Sequence, residues 1–187
     1  MSLVAIGEHF PEVLDAARLG AEWAWTELWG DLAGSITGYM RSKGVREPED
    51  ATAEVFSQLA RSIGAFRGSE EQFRSWVFTI AHSRLIDQHR WYARRSTEEL
   101  SPGFERLDAS SDPAVVYEAN DSQNRALSML ASLTPDQAEV LTLRILGELS
   151  LEQVANITGR KVNAVKQLQH RALQALRRNL SDEAVTR

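Results

Sequence analysis

Apolar positions in this chain recur at helical spacing almost throughout, and no stretch alternates β-branched with polar residues as a half-buried strand would. The expected fold is all-α. Over residues 21–40 the apolar positions Trp25, Leu28, Trp29, Leu32 and Ile36 predict one helix, with Trp23, Trp25 and Trp29 assigned mainly to core. Pro48 opens a second helix that carries Val55, Phe56 and Leu59. After Gly68, Ser69 and Gln72 form a capping pair for a long helix over 73–95. That helix starts aromatic and apolar with Phe73, Trp76, Val77, Phe78 and Ile80, and finishes basic. Aromatic rings beside arginines suit single-stranded nucleic acid, although a tryptophan at helical spacing is more often core than a platform for bases.

Periodicity fails over 96–121, where Ser-Pro-Gly, Asp-Pro and many acids replace it, and this stretch reads as a linker. The expected division is an N-terminal tail over 1–14, a first helical domain over 15–95, the linker over 96–121, a four-helix domain over 122–180 and a C-terminal tail over 181–187. In the second domain a helix over 122–133 comes first. Thr134 then caps a helix with Pro135 at its first position and Gln137 at its third, running through Leu141 and Ile145 to Gly147.

The stretch from Ser150 to Val165 has the punctuation of a helix-turn-helix. Ser150 caps a helix whose third residue, Gln153, reaches back to the cap's amide. Gly159 supplies the positive φ that often follows a helix end, and Ala155 leaves room for a crossing helix. Val162, Val165, Leu168, Leu173, Leu176 and Leu180 give the next helix its apolar positions. Between Gly159 and Leu180 stand Arg160, Lys161, Lys166, Arg171, Arg177 and Arg178, with His170 and no acid. Such a helix neutralises phosphates with its cations and reads base edges near its start, where Asn163, Ala164, Lys166 and Gln167 lie. The plainer alternative is a two-helix corner with a solvated basic face.

Composition narrows the field. A net charge of −5 opposes a nucleic-acid partner only superficially, because the charge is segregated. Residues 1–31 hold six acids against Arg18, and 96–121 hold seven against Arg106, whereas Arg84, Arg90, Arg94 and Arg95 cluster around a single Asp87. The chain has no cysteine, and its four histidines lack metal-ligand spacing, so neither a structural zinc nor any other cofactor is expected. No apolar run approaches the roughly 20 residues of a membrane span, and no signal-peptide pattern opens the chain; no membrane insertion and a cytoplasmic location are expected. Paired carboxylates, a nucleophile with its base and a phosphate-binding glycine loop are all lacking, so the chain is read as no enzyme and as having no small-molecule substrate.

Asp50 with Glu54-Val55-Phe56, then Phe73 to Ala81 with Trp76, then Leu85-Ile86-Asp87, and finally Leu149 to Ala155 with Val165-Lys166 and His170-Arg171-Ala172 stand in order along 15–180. Together they resemble the bacterial RNA polymerase sigma factors of the extracytoplasmic-function (ECF) group. The resemblance implies a non-catalytic subunit that brings core RNA polymerase to promoter DNA. It implies docking on a coiled coil of the polymerase clamp through the helix holding Asp50, Glu54, Val55, Phe56 and Leu59. It implies recognition and melting of the minus-ten element, for which Arg67, Trp76, Ser83, Arg84, Arg90 and Arg94 are the candidates, with Asp87 an internal partner for an arginine. The minus-thirty-five element would be read by Arg160, Lys161, Asn163, Ala164, Lys166, Gln167, His170 and Arg171. The acidic linker would run through the polymerase channel later used by RNA, and an anti-sigma factor is a further partner common in the group. At Leu168 and Gln169 relatives often carry arginine and leucine, which opens a DNA-facing place for Gln169. The rival reading is a stand-alone helix-turn-helix regulator, which requires a dimer and a palindromic operator.

Overall fold

The computed structural model describes residues 6–98, 129–130 and 132–185, and within them every regular element is helical. In chain order these are α1 (Phe10–Arg18), α2 (Glu22–Ser42), α3 (Pro48–Ser62), α4 (Glu70–Glu98), α5 (Pro135–Ile145), α6 (Leu151–Thr158) and α7 (Val162–Val185). Single 3-10 turns precede α1 at Gly7–His9 and follow α3 at Ile63–Ala65. The all-α reading holds. Helix α4 runs through Glu98, three residues into the linker expected over 96–121; the rest of that linker and the helix expected over 122–133, apart from Met129, Leu130, Ser132 and Leu133, lie outside the described residues.

One expectation fails at the start of the chain. In place of a tail over 1–14, helix α1 begins at Phe10 and buries Phe10, Val13, Leu14 and Ala17, the i, i+3, i+4, i+7 face of a short helix. Phe10 packs on Phe73 of α4 with ring centroids 5.3 Å apart. The backbone ahead of α1 is fastened as well: the Glu70 carboxylate accepts from the amides of Ile6 at 2.9 Å and Gly7 at 2.8 Å. The sequence signal is obscured because the acids Glu8, Glu12 and Asp15 occupy the outward face and dominate the composition.

Helix α2 is the spine of the first module, burying Leu28, Leu32, Ile36, Tyr39 and Met40 against Val55, Phe56 and Leu59 of α3 and Phe73, Val77, Phe78 and Ala81 of α4. A buried ion pair, Arg74 to Asp31 at 2.8 Å, ties α4 to α2. Desolvation pushes the Asp31 carboxyl up from its ordinary value, with the Arg74 charge opposing that shift. The tryptophans divide differently from expectation. Trp25 packs on the core and donates its indole N–H to Ala17 O at 3.1 Å, but Trp23 and Trp29 remain 48% and 46% exposed. Successive helical residues rotate by about 100°, and Ala24, Leu28 and Leu32 already fill the inward arc.

In the second module Thr134 caps α5 with a reciprocal Gln137 contact, as the spacing predicts. Val140, Leu143, Leu149, Val154, Ala155, Ile157 and Val165 form its core, with a satellite cluster of Leu133, Leu141 and Ala172. The two modules touch. Helix α5 packs on α2 and α6 packs on α4, and one cluster of buried apolar residues is continuous through both modules.

Candidate nucleic-acid interface

The helix-turn-helix is built by its own caps. Ser150 Oγ accepts from the Gln153 amide at 3.2 Å, while Gln153 Oε1 accepts from the Ser150 amide at 2.7 Å, so two amides at the start of α6 are satisfied by one box. At the other end Gly159 adopts φ +66°, a left-handed conformation that glycine enters without a Cβ penalty, and its amide returns to Ala155 O. The chain then enters α7 at Val162.

Helix α7 turns Val165 and Ala172 fully inward and leaves Leu168, Ala175 and Leu176 half-buried behind them. The apolar stripe read from sequence also holds Val162 and Leu173, but both are substantially exposed. A step of five from Leu168 to Leu173 overshoots the inward arc, and Ala172, four residues on, takes the place instead. The outward face carries Lys161, Asn163, Ala164, Lys166, Gln167, His170 and Arg171, all exposed. Seven of the eight residues read from sequence thus share one open surface. The eighth, Arg160, is half-buried and ion-paired with Asp136 at 2.6 Å, bracing the turn against α5. Gln169 does not join the outward face: its Oε1 accepts from Arg144 Nε at 3.3 Å, and that same guanidinium donates to Leu149 O. A long polar side chain at this half-buried position finds its partner inside the module, which the residue pattern alone does not reveal.

The minus-ten candidates are spread along α4 and the loop before it. Arg67 is exposed and donates to Gly64 O and Phe66 O at 2.7 and 2.6 Å. Trp76 is half-buried and stacks on Phe66, centroids 5.1 Å apart and planes 18° apart. Ser83 is exposed. Arg84 pairs with Glu54 of α3, joining a minus-ten candidate to a polymerase-docking candidate. Arg90 lies 3.9 Å from Asp87, which acts as an arginine's internal partner. Arg94 belongs to α4, but its side chain lies outside the described residues. From Trp76 to Arg90 the helix rises about 21 Å, so these residues line a track and do not converge on one pocket.

The polymerase-docking candidates divide by exposure. Asp50 and Glu54 are exposed, and with Arg46, Glu47 and Arg84 they border a groove between α3 and α4. Val55 and Leu59 have no exposed surface, and Phe56 is only 7% exposed. These three are core residues of the first module. What covers Phe56 is Trp29, with ring centroids 4.5 Å apart. Trp29 therefore presents the outward aromatic surface at this corner, and a Cβ placed on Gly30 or Gly34 beside it would meet no neighbour within 4 Å. The helical pattern marks Trp29 as apolar without saying which way it faces.

A polar cluster between the modules has no counterpart among the sequence expectations. Glu139 of α5 is buried and receives Lys43 Nζ at 2.8 Å, with His82 Nδ1 at 3.7 Å. The same His82 nitrogen is 2.9 Å from Tyr39 Oη. Burial holds the His82 imidazole below its ordinary value, with Glu139 opposing and Lys43 reinforcing the shift, and burial pushes the Tyr39 phenol far up. The one sequence signal is an acid set between apolar residues, Ala138 and Val140.

Comparison with known proteins agrees with this architecture. Residues 30–95 match the family model of sigma-70 region 2 and residues 129–178 that of sigma-70 region 4. The ECF RNA polymerase sigma factor BldN of Streptomyces coelicolor is 33% identical over 181 residues, covering 92% of this chain and 66% of its own length. The ECF sigma factor RpoE of Cereibacter sphaeroides is 27% identical over 162 residues, covering 86% of this chain and 88% of its own length. Among solved structures, CnrH in complex with the cytosolic domain of CnrY shares the fold at a TM-score of 0.60 and 21% identity, covering 91% of this chain and 96% of that one. RpoE in complex with the anti-sigma factor NepR from Bartonella quintana does so at 0.58 and 22%, covering 93% and 95%. With both regions matched in order, the helix-turn-helix formed and relatives of one kind along the chain, the protein belongs to the ECF group of bacterial RNA polymerase sigma factors.

Proposed function

We propose that this chain joins core RNA polymerase through the outer corner of α2 and α3, reads the minus-thirty-five element with the open face of α7, and engages the minus-ten element along α4. The observation that carries the reading is the basic outward face of α7: Lys161, Lys166 and Arg171 stand beside Asn163 and Gln167 on a helix seated by a capped helix-turn-helix. Cations of this kind position the helix on phosphates, and Asn163 and Gln167 are suited to adenine edges in the major groove. Trp29 with Asp50 and Glu54 offers an apolar centre beside acids, which suits a basic and partly apolar partner helix. Arg67, Ser83, Arg84, Arg90 and Arg94 supply the polar contacts to the minus-ten strand. Trp76, stacked on Phe66, supports the start of α4.

Catalysis is left to the polymerase, and the place of work is the cytoplasm. An anti-sigma factor is a fitting partner, because a solved structure of the same fold, RpoE of Bartonella quintana, holds one. The stand-alone dimeric regulator has no separate observation in its favour. The test is DNA binding with and without core polymerase. A gel-shift series on promoter fragments should give weak binding by the chain alone and strong binding by the holoenzyme; tight binding to a palindrome by the chain alone would reject the reading.

A further inference from the structure

We propose that residues 6–18 are a clasp on the loop between α3 and α4, and that this clasp positions Arg67 for the minus-ten strand. The consequence for DNA rests on the minus-ten reading above; the clasp itself does not. The match to sigma-70 region 2 begins at residue 30, so residues 6–18 lie outside it.

The loop at 66–69 is weakly held by its own backbone. Phe66 N–H donates to Ile63 O at 3.1 Å, and Ser69 opens the capping pair of α4. Among the described residues, Arg67 and Gly68 between them make no backbone–backbone hydrogen bond. The exposed Arg67 side chain folds back on the loop, its Nη1 donating to Gly64 O and Phe66 O at 2.7 and 2.6 Å. Neither bond uses Nη2 or Nε, so a guanidinium placed in this way still has donors to offer a phosphate. Its placement depends on where Phe66 O is fixed.

Two grips supply what the loop backbone lacks. The first is Arg18, the last residue of α1. Its Nη2 donates to the same Phe66 O that Arg67 uses, while its Nη1 donates to Asp15 Oδ1 at 2.6 Å, so an ion pair within α1 aims the guanidinium at the loop. The Arg18 side chain is only 21% exposed, so water competes little for the bond. The second grip is on the first turn of α4. Ile6 is right-handed at φ −60° and Gly7 left-handed at φ +67°, and successive residues in those two conformations turn their amides toward a common anion. That anion is the Glu70 carboxylate, whose Oε1 accepts from Ile6 N–H and Oε2 from Gly7 N–H. Both bonds are charge-assisted, and the acid stands where the α4 macrodipole favours it. On its inner side the loop is held by aromatic packing, Phe66 on Phe73 and Trp76, with Phe10 of α1 also on Phe73. Gly7, Asp15, Arg18, Arg67, Ser69 and Glu70 line one cleft of about 400 Å³, so both grips and the side chain they position open on one surface.

Amide hydrogen exchange in the free full-length protein reads the clasp, and DNA binding by the holoenzyme reads its consequence. The variants are Arg18→Ala, Glu70→Gln and Gly7→Val. The last meets no neighbour within 4 Å of its Cβ but forces a β-branched residue into the left-handed region. Each should speed exchange of the Phe66 and Ser69 amides. On a promoter recovered by run-off transcription, with its minus-ten strand left unpaired, each should bind up to about tenfold more weakly, the cost of ordering one freed long side chain on binding. Affinity for core polymerase, and for a fragment carrying the minus-thirty-five element alone, should stay within about threefold of wild type. Arg18→Lys keeps the charge beside Asp15 and a donor for Phe66 O, and should recover most of the loss. In an Arg67→Ala background the clasp variants should cost little more, because the side chain they position is gone. A loss undiminished in that background, a loss that falls equally on both promoter elements, or no loss while Arg67→Ala itself weakens binding overturns the positioning role. Unchanged exchange at Phe66 and Ser69 overturns the clasp. Faster exchange, with Arg67→Ala binding the unpaired strand as wild type does, overturns the minus-ten reading of Arg67 and leaves the clasp standing.

Discussion

Phe56 and Trp29 touch each other, yet replacing each with alanine should damage different properties. Phe56 is 7% exposed and belongs to the core, so Phe56→Ala leaves a cavity and should cost about 3–5 kcal/mol of stability, lowering the melting point by on the order of 10 °C or more. Trp29 is 46% exposed. A tryptophan offers roughly 200 Å² of contact area, so about half is already buried on Phe56 and its neighbours and about half is available to a partner. At about 25 cal/mol per Å², Trp29→Ala loses roughly 2–2.5 kcal/mol of stability and a comparable amount of binding energy, an affinity loss of roughly 30- to 60-fold. The assay is equilibrium binding to core polymerase at a temperature where circular dichroism shows each variant folded. Trp29→Ala should bind tens of times more weakly, and Phe56→Ala within about threefold of wild type. The opposite ranking would refute the inference from exposure and return the buried α3 ridge to the docking surface.

Other expectations follow from the same geometry. Lys166→Ala should weaken promoter binding by the holoenzyme and, by leaving one phosphate unneutralised, reduce the slope of log affinity against log salt by about 0.9 in a titration over monovalent salt. Ser150→Ala removes the acceptor for the Gln153 amide and should cost about 1 kcal/mol, read by chemical denaturation. Gly159→Ala meets no neighbouring atom but forces a side chain to φ +66°, so the same denaturation measurement should show a cost of about 1–2 kcal/mol from strain alone. Because burial lowers the His82 imidazole below its ordinary value, the folded chain binds fewer protons there than the unfolded one. Folding stability should therefore be full above about pH 6.5 and decline as pH falls below that, with a smaller decline in His82→Gln, measured by chemical denaturation against pH.

The parts of the fold written in local chemistry are legible from the residues. Thr134 with Gln137 and Ser150 with Gln153 each form the box their spacing predicts, and Gly159 takes the left-handed turn its position requires. Ser69 and Gln72 also pair reciprocally at 2.9 and 3.3 Å as expected. Features set by tertiary context are not legible. Acids on the outward face of α1 hide a core helix, and a period marks an apolar stripe without choosing between Leu28 and Trp29 as its inward member. Gln169 and Arg160 look like DNA ligands by position, but each is occupied by a partner far along the chain, Arg144 and Asp136. Glu139 meets Lys43 only across 96 residues of sequence, a distance no local pattern bridges.

The most direct test of the account is run-off transcription on a genomic promoter library, using core RNA polymerase free of other sigma factors, with and without this protein. Transcripts that depend on the protein and share two upstream elements about 25 base pairs apart are predicted, with an α7 variant lacking Lys166 and Arg171 losing them. Absence of any protein-dependent transcript, with the protein binding a palindromic site unaided, would contradict it.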